Sequence, residues 1–215
     1  MLRKFSCIDE CSDCCIYREY YPSIEYGKIG VLLLPNEKQR IETYAKELGL
    51  EITILRRVGI GRNNSKNEPE TIIAYQLMGK NSNGEVCPFL EMEGAERSPH
   101  GGFKCKIYNK KPVACSAYPV NIEDKETVTL DRKCKFCRVN KKDGEQADGM
   151  EIQKFSVRKE IIALRKIQNS TRADASVEIW RYATGIGEKE NQEHFYPRGW
   201  VLQTAFNNSQ YNNSQ

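Results

Sequence analysis

Phe5-Ser6-Cys7-Ile8-Asp9-Glu10-Cys11-Ser12-Asp13-Cys14-Cys15 places four cysteines within nine residues near the start of the chain. Five more lie at Cys87, Cys105, Cys115, Cys134 and Cys137. Thiolate sulfur suits soft and borderline metals. Cys11-x2-Cys14 and Cys134-x2-Cys137 each carry the two-residue gap that lets one tight turn present both sulfurs to one centre. Zinc takes four such ligands in a tetrahedron, and iron–sulfur clusters also take four cysteines. All nine cysteines are therefore candidate metal ligands. The expected fold is a small, irregular α+β domain, with short antiparallel strands and a few helices arranged around the metal.

A disulfide scaffold is the competing reading. It suits short secreted chains whose core is too small to stand alone. This chain has 215 residues, enough to bury a real core, and nine cysteines cannot all pair. With sites built in fours, one spare cysteine is expected. In an extended Cys14-Cys15 dipeptide the sulfurs point to opposite sides and serve different centres. In a turn they serve one. The sequence leaves both open.

Composition narrows the classes. Charged residues make up 29% and hydrophobic ones 39%, as in a globular protein. The longest apolar patch, Val31-Leu32-Leu33-Leu34, is far too short to cross a membrane. The net charge of +4 does not by itself indicate nucleic acid. Met1-Leu2-Arg3-Lys4 runs straight into the cysteines without an apolar leader, so a reducing cytoplasm is the expected location.

Periodicity supplies the elements. Lys28 to Leu34 reads as a strand stopped by Pro35, then a helix capped by Asn36 and Gln39 and closed by Gly49. Ile41, Tyr44, Ala45 and Leu48 form its apolar face. Glu51–Val58 and Thr71–Met78 read as strands that pair antiparallel and deliver Cys87, with a polar loop over 59–69 and a turn at Asn81–Gly84. Phe103–Tyr108 reads as a strand carrying Cys105, and Val128–Leu130 as another. Phe155–Ile167 reads as an amphipathic helix, with Phe155, Ile161, Ile162, Leu164 and Ile167 apolar. Asp174–Ala183 reads as a second helix, and Phe195–Leu202 as an aromatic segment folding back. The expected organisation is a cysteine-rich domain over 1–140, a linker over 141–149, a helical extension over 150–206 and a polar tail over 207–215.

The ordered motifs resemble the CxxCxxCC family of zinc- or iron-chelating domains, which includes flagellin lysine N-methylases. Phe5, Cys7, Cys11, Cys14 and Cys15 match its opening pattern. Cys87-Pro88-Phe89-Leu90, Cys105-Lys106-Ile107-Tyr108 and Lys111-Pro112-Val113-Ala114-Cys115-Ser116-Ala117-Tyr118-Pro119 match its three later motifs. Lys111 and Ser116 stand where the family carries arginines. The first cysteine gap is three residues rather than two, and the stretch between Leu90 and Cys105 is longer than usual. The resemblance implies a metal centre, iron–sulfur or zinc, and says little about a reaction.

Three functions are then in view. The first is an iron–sulfur protein, with a 4Fe-4S cluster and room for a second four-cysteine site, in a redox or enzyme-associated role. The second is a zinc-stabilised binding module, and the third a lysine methylase-like enzyme. Cys7-x3-Cys11-x2-Cys14 has the radical S-adenosylmethionine spacing, but the chain lacks the repeated βα units of such enzymes. No nucleophile or general-base constellation and no Gly-rich nucleotide loop appears. The two histidines, His100 and His194, carry no catalytic motif, and His100 reads as a surface residue rather than a ligand. A protein partner is expected.

Overall fold

The computed structural model of the chain describes residues 2–16, 30–62, 67–80, 86–141, 149–174, 176–184 and 198–203. The Asn81–Gly84 turn, His194, most of the 141–149 linker and the 207–215 tail lie outside these residues. The fold is α+β. In chain order the elements are α1 (Asp13–Ile16), β1 (Val31–Leu33), α2 (Pro35–Glu47), β2 (Ile54–Gly61), β3 (Thr71–Leu77), β4 (Leu90–Glu91), β5 (Lys104–Cys105), α3 (Val113–Ala117), β6 (Val120–Ile122), β7 (Val128–Leu130), α4 (Lys135–Asn140), β8 (Met150–Glu151), α5 (Arg158–Thr171), β9 (Glu178–Thr184) and β10 (Arg198–Gln203). They form three antiparallel sheets. One has five strands in the order β1-β3-β2-β9-β10, one pairs β4 with β5, and one runs β6-β7-β8.

Helix α2 is capped two residues earlier than its sequence suggests. Pro35 fits the first helical turn because its fixed φ suits the helix and its missing N–H is not needed there. Leu34 is the cap, and the Glu37 carboxylate, not Gln39, accepts its amide at 3.0 Å. Glu37 is 2% exposed. It also accepts the Val113 amide at 2.9 Å and pairs with Arg40 at 3.2 Å. One carboxylate thus ties the start of α2 to the start of α3. At the other end Gly49 sits at φ +63°, while its amide bonds Lys46 O and the Leu50 amide bonds Ala45 O. Glycine reaches this left-handed conformation without a Cβ clash, so the helix stops there as expected.

Two apolar cores result. In the first, Val31, Leu33, Ile41, Ala45, Leu77, Phe89 and Ile107 are buried, and Cys87, Cys105 and Cys115 pack against them. In the second, Val120, Val128, Leu130, Phe136, Cys137, Ile152, Val157 and Ile161 are buried, and Phe5, Ile8 and Cys134 pack against them.

The largest departure from sequence lies after residue 174. The stretch read as the Asp174–Ala183 helix is strand β9, paired with β2 on one side and β10 on the other. Ile179, Trp180 and Tyr182 favour a pleated surface, and two flanking strands reward that preference over a helical pattern of equal length. The C-terminal region therefore contributes two strands to the main sheet as well as helix α5. Strand β2 runs later than expected because Leu50 and Ile52 first pack against the α2 core. The Phe103–Tyr108 strand shortens to β5, since β4 offers only two residues to pair with. The buried residues of α5 are Ile161 and Ala163, and Val157 just before it is buried as well. Phe155 and Ile162, expected on the buried face, are 72% and 60% exposed.

Replacing Glu37 with Ala strands the buried Leu34 amide and the half-buried Val113 amide at once. At about 1–3 kcal/mol for each buried group left unsatisfied, the variant should lose about 2–4 kcal/mol in urea denaturation. A loss below about 1 kcal/mol would show that the carboxylate does not join the helices.

Candidate metal centre

The N-terminal cysteines are placed by a helical turn. The Ser12 carbonyl accepts the Cys15 amide at 2.8 Å and the Ile16 amide at 3.1 Å, which winds residues 13–16 into α1. Of the two conformations left open for Cys14-Cys15, the turn is therefore the one adopted, and the sulfurs lie 3.9 Å apart. The segment then docks on distant chain. The Cys15 carbonyl accepts the Cys87 amide at 2.8 Å. Ser12 is buried, and its Oγ accepts the Phe103 amide at 2.7 Å. His100 Nε2 donates to the Cys11 carbonyl at 2.9 Å, and the His100 carbonyl accepts the Glu10 amide at 3.1 Å.

The loop after His100 has to be glycine. Gly101 adopts φ +83°. A Cβ on Gly102 would lie 2.4 Å from the Cys11 carbonyl oxygen and 2.6 Å from Ser12 Oγ. His100 is thus not the surface residue expected from sequence. It is half-buried, stacks on Tyr108 at 6.1 Å between ring centroids, and orients the cysteine segment. Ser98 holds the next cysteine: its Oγ accepts the Cys105 amide at 3.0 Å and donates to the Phe103 carbonyl at 2.8 Å.

These contacts bring six cysteines to one cavity of about 90 Å³. Cys11, Cys14, Cys15, Cys87, Cys105 and Cys115 line it, with Val31, Leu77, Phe89 and Ile107 among its apolar walls. The crowding is visible in the thiol acidities. Cys15 is pushed far above the ordinary thiol range, first by its hydrogen bond with Cys14, then by burial and the nearby Cys87 and Cys115. Burial raises Cys105, Cys115 and Cys14 add to it, and Lys111 opposes.

A second thiol group sits against the other core. Cys134 precedes α4, and its thiol hydrogen-bonds with that of Cys137. That bond, then burial, drives Cys134 upward, and the same bond draws Cys137 down. Cys7 reaches this group because residues 3–5 are pinned there. The Gln153 amide bonds Arg3 O at 2.8 Å, and Phe5 meets Phe136 edge-on at 5.2 Å. Asp13 and Arg138 form an ion pair across the same seam. Cys7 is pushed up to about 11 by desolvation, then by Cys11, Cys14 and Cys134, with Lys111 opposing. Burial raises Cys11, and Lys135 pulls it back.

The structure thus divides the nine expected residues. Cys15, Cys87, Cys105 and Cys115 belong to the cavity, Cys7, Cys134 and Cys137 to the seam, and Cys11 and Cys14 lie between them. Among the described residues no three His, Cys, Asp or Glu side chains already form an ion-holding group. The thiols line the cavity walls rather than meet at one point. Ser12 and Ser98 are parts of the site that sequence reasoning does not pick out; Lys111 is noted there only for replacing a family arginine, and His100 is read there as a surface residue. Only the His-Gly-Gly run carries a signal, since paired glycines mark close backbone approach.

The model of the CxxCxxCC family, described as a putative zinc- or iron-chelating domain, matches residues 6–137. That is more than half of the chain and includes all nine cysteines. No curated protein and no solved structure matches. By this match the chain belongs to the CxxCxxCC family of zinc- or iron-chelating domains.

Proposed function

We propose that the cavity holds an iron–sulfur cluster through Cys15, Cys87, Cys105 and Cys115, and that the protein is a redox module serving a protein partner. One observation carries the reading: thiols from four separate segments line a single apolar-walled cavity of about 90 Å³. A water needs roughly 10–15 Å³ of comparable space. A closed zinc site draws four sulfurs to about 2.3 Å from one point. The cavity is roomier than that, and its donor set is the one that clusters use.

When bound, such a cluster supplies one-electron transfer. The chain's own residues do the rest. The four cysteines bind as thiolates and release their protons. Phe89 and Ile107 keep water from the thiolates, and low solvent access is one of the levers on cluster potential. Lys111, at the cavity wall, offsets part of the thiolate charge. His100, Ser98 and Ser12 fix the backbone on which Cys11, Cys15 and Cys105 sit. Cys7, Cys11, Cys134 and Cys137 form a second four-thiolate group suited to a structural zinc, which leaves Cys14 as the spare. The plainer reading, a zinc-stabilised binding module throughout, requires the cavity thiols to close on one ion.

Metal and acid-labile sulfide measured on anaerobically purified protein decide between these. Iron and sulfide together, lost in Cys105→Ser and Cys115→Ser but kept in Cys134→Ser, are expected. Zinc without sulfide would overturn the cluster assignment.

Gly102→Ala should halve metal loading or worse, because the new Cβ collides with backbone that carries Cys11. Full loading in that variant would mean that the His100 loop does not position the site.

Protonation gives a further test. Cys7, Cys11, Cys15, Cys105 and Cys134 are all shifted upward, so folding favours their neutral form; Cys137 runs the other way. The folded state then binds more protons than the unfolded one. Stability is intact below the ordinary thiol range and falls as pH rises from about 9 towards about 11. Melting temperatures of chelator-treated protein should fall across that window, while loaded protein, whose ligands are already thiolates, should not follow. Parallel profiles for the two forms would contradict the assignment of these cysteines as ligands.

A further inference from the structure

Helix α5 turns one face inward and leaves the other to solvent. The inner face packs on α3, which carries Cys115, and on β6. Ile161 and Ala163 are buried on it, and Leu164 packs on the second core. The outer face of such a helix is ordinarily polar throughout. Here Phe155 and Ile162 stand out from it, 72% and 60% exposed.

Phe155 belongs to the 3-10 turn Lys154–Val157, which runs into α5 without a break, because Arg158 keeps helical backbone at φ −57° and ψ −39°. Residues seven apart therefore share a face, two turns and about 10 Å from each other. Three such pairs lie side by side. Phe155 and Ile162 form the middle row, with Arg158 and Arg165 along one flank and Lys159 and Lys166 along the other. All six are exposed. Glu160, the one acid between Phe155 and Thr171, lies on the inner half of the helix and is half-buried. Among the described residues none of the four cations forms an ion pair or a side-chain hydrogen bond. Lys154 differs from them, since it donates to the Lys125 carbonyl.

An apolar ridge between two rows of cations matches a partner whose anionic groups border an apolar layer. A nucleic-acid backbone complements the cations, but Ile162 has no flat ring on which a base can stack. Protein interfaces are depleted in lysine, and here lysine holds a whole flank. An anionic lipid surface satisfies every row. Apolar side chains enter the boundary of headgroups and acyl chains, while lysine and arginine stems lie along it and keep their charges at the headgroups. We propose that the outer face of α5 docks on an anionic membrane surface. The helix axis lies in the membrane plane, Phe155 and Ile162 insert, and the two flanking rows pair with lipid headgroups. The proposal does not rest on the metal reading.

Cosedimentation of the full chain as isolated with lipid vesicles tests this. Vesicles of phosphatidylcholine and phosphatidylserine in equal parts should bind the protein, and phosphatidylcholine alone should bind it at least tenfold more weakly. Raising salt from about 0.1 M to about 1 M shortens the screening length from about 10 Å to about 3 Å, so binding should weaken steeply. The double variants Arg158→Gln with Lys166→Gln, and Phe155→Ser with Ile162→Ser, should each lose at least tenfold in binding, with metal content unchanged. Lipid and salt dependence test the same claim on the natural chain, whatever the stability of the variants. Equal binding to both vesicle types overturns the proposal, as does binding that survives both double variants. So does capture of polyglutamate or single-stranded DNA by a chain that leaves anionic vesicles unbound, or no binding to any of them.

Discussion

The hydrogen bond from the Cys87 amide to the Cys15 carbonyl joins two remote parts of the chain, and the cysteine cavity depends on that junction. Bringing remote segments together costs loop-closure entropy before any sulfur contributes. A short helical turn such as α1 cannot offset that cost by itself. The offset comes from backbone groups satisfied in pairs: Ser12 with Phe103, His100 with Cys11, Cys15 with Cys87. The protein portion of the site is thus assembled by ordinary amide chemistry, and the thiols are carried into position by it.

That division of labour explains what is legible in the sequence. Cysteine spacing announces a thiolate site because ligand chemistry is local to residue type, and it does so here from Cys7 to Cys137. Helix α2 is legible from its apolar period and its closing glycine. The capping carboxylate is not, since Glu37 and Gln39 are equally suited by type, and only the amide of Val113, far along the chain, favours one. Strand β9 escapes a local reading for a related reason. Its residues tolerate either period, and the choice lies with β2 and β10, which no local window contains. His100 leaves no motif because its task is to hold a carbonyl rather than a metal.

The partition of cysteines follows the partition of the apolar cores. Cys87, Cys105 and Cys115 pack on the core beneath α2, and Cys134 and Cys137 on the core beneath β7. Residues 3–16 are common to both, pinned to one by Phe5 and Arg3 and to the other by Ser12 and Cys15. A thiol crowd is uncomfortable when protonation is its only relief, and the upward shifts of Cys15 and Cys105 record that discomfort.

The order in which the chain is made gives this arrangement a temporal side. The N-terminal cysteines leave the ribosome first, yet Cys15 meets Cys87 and Cys7 meets Cys134 only after those later segments have emerged. Throughout that interval four thiols wait in a nascent segment with nothing to cover them. The longer that interval, the longer those thiols stand open to oxidation or to a stray metal, so the order of synthesis bears on assembly in a way that the finished fold does not record.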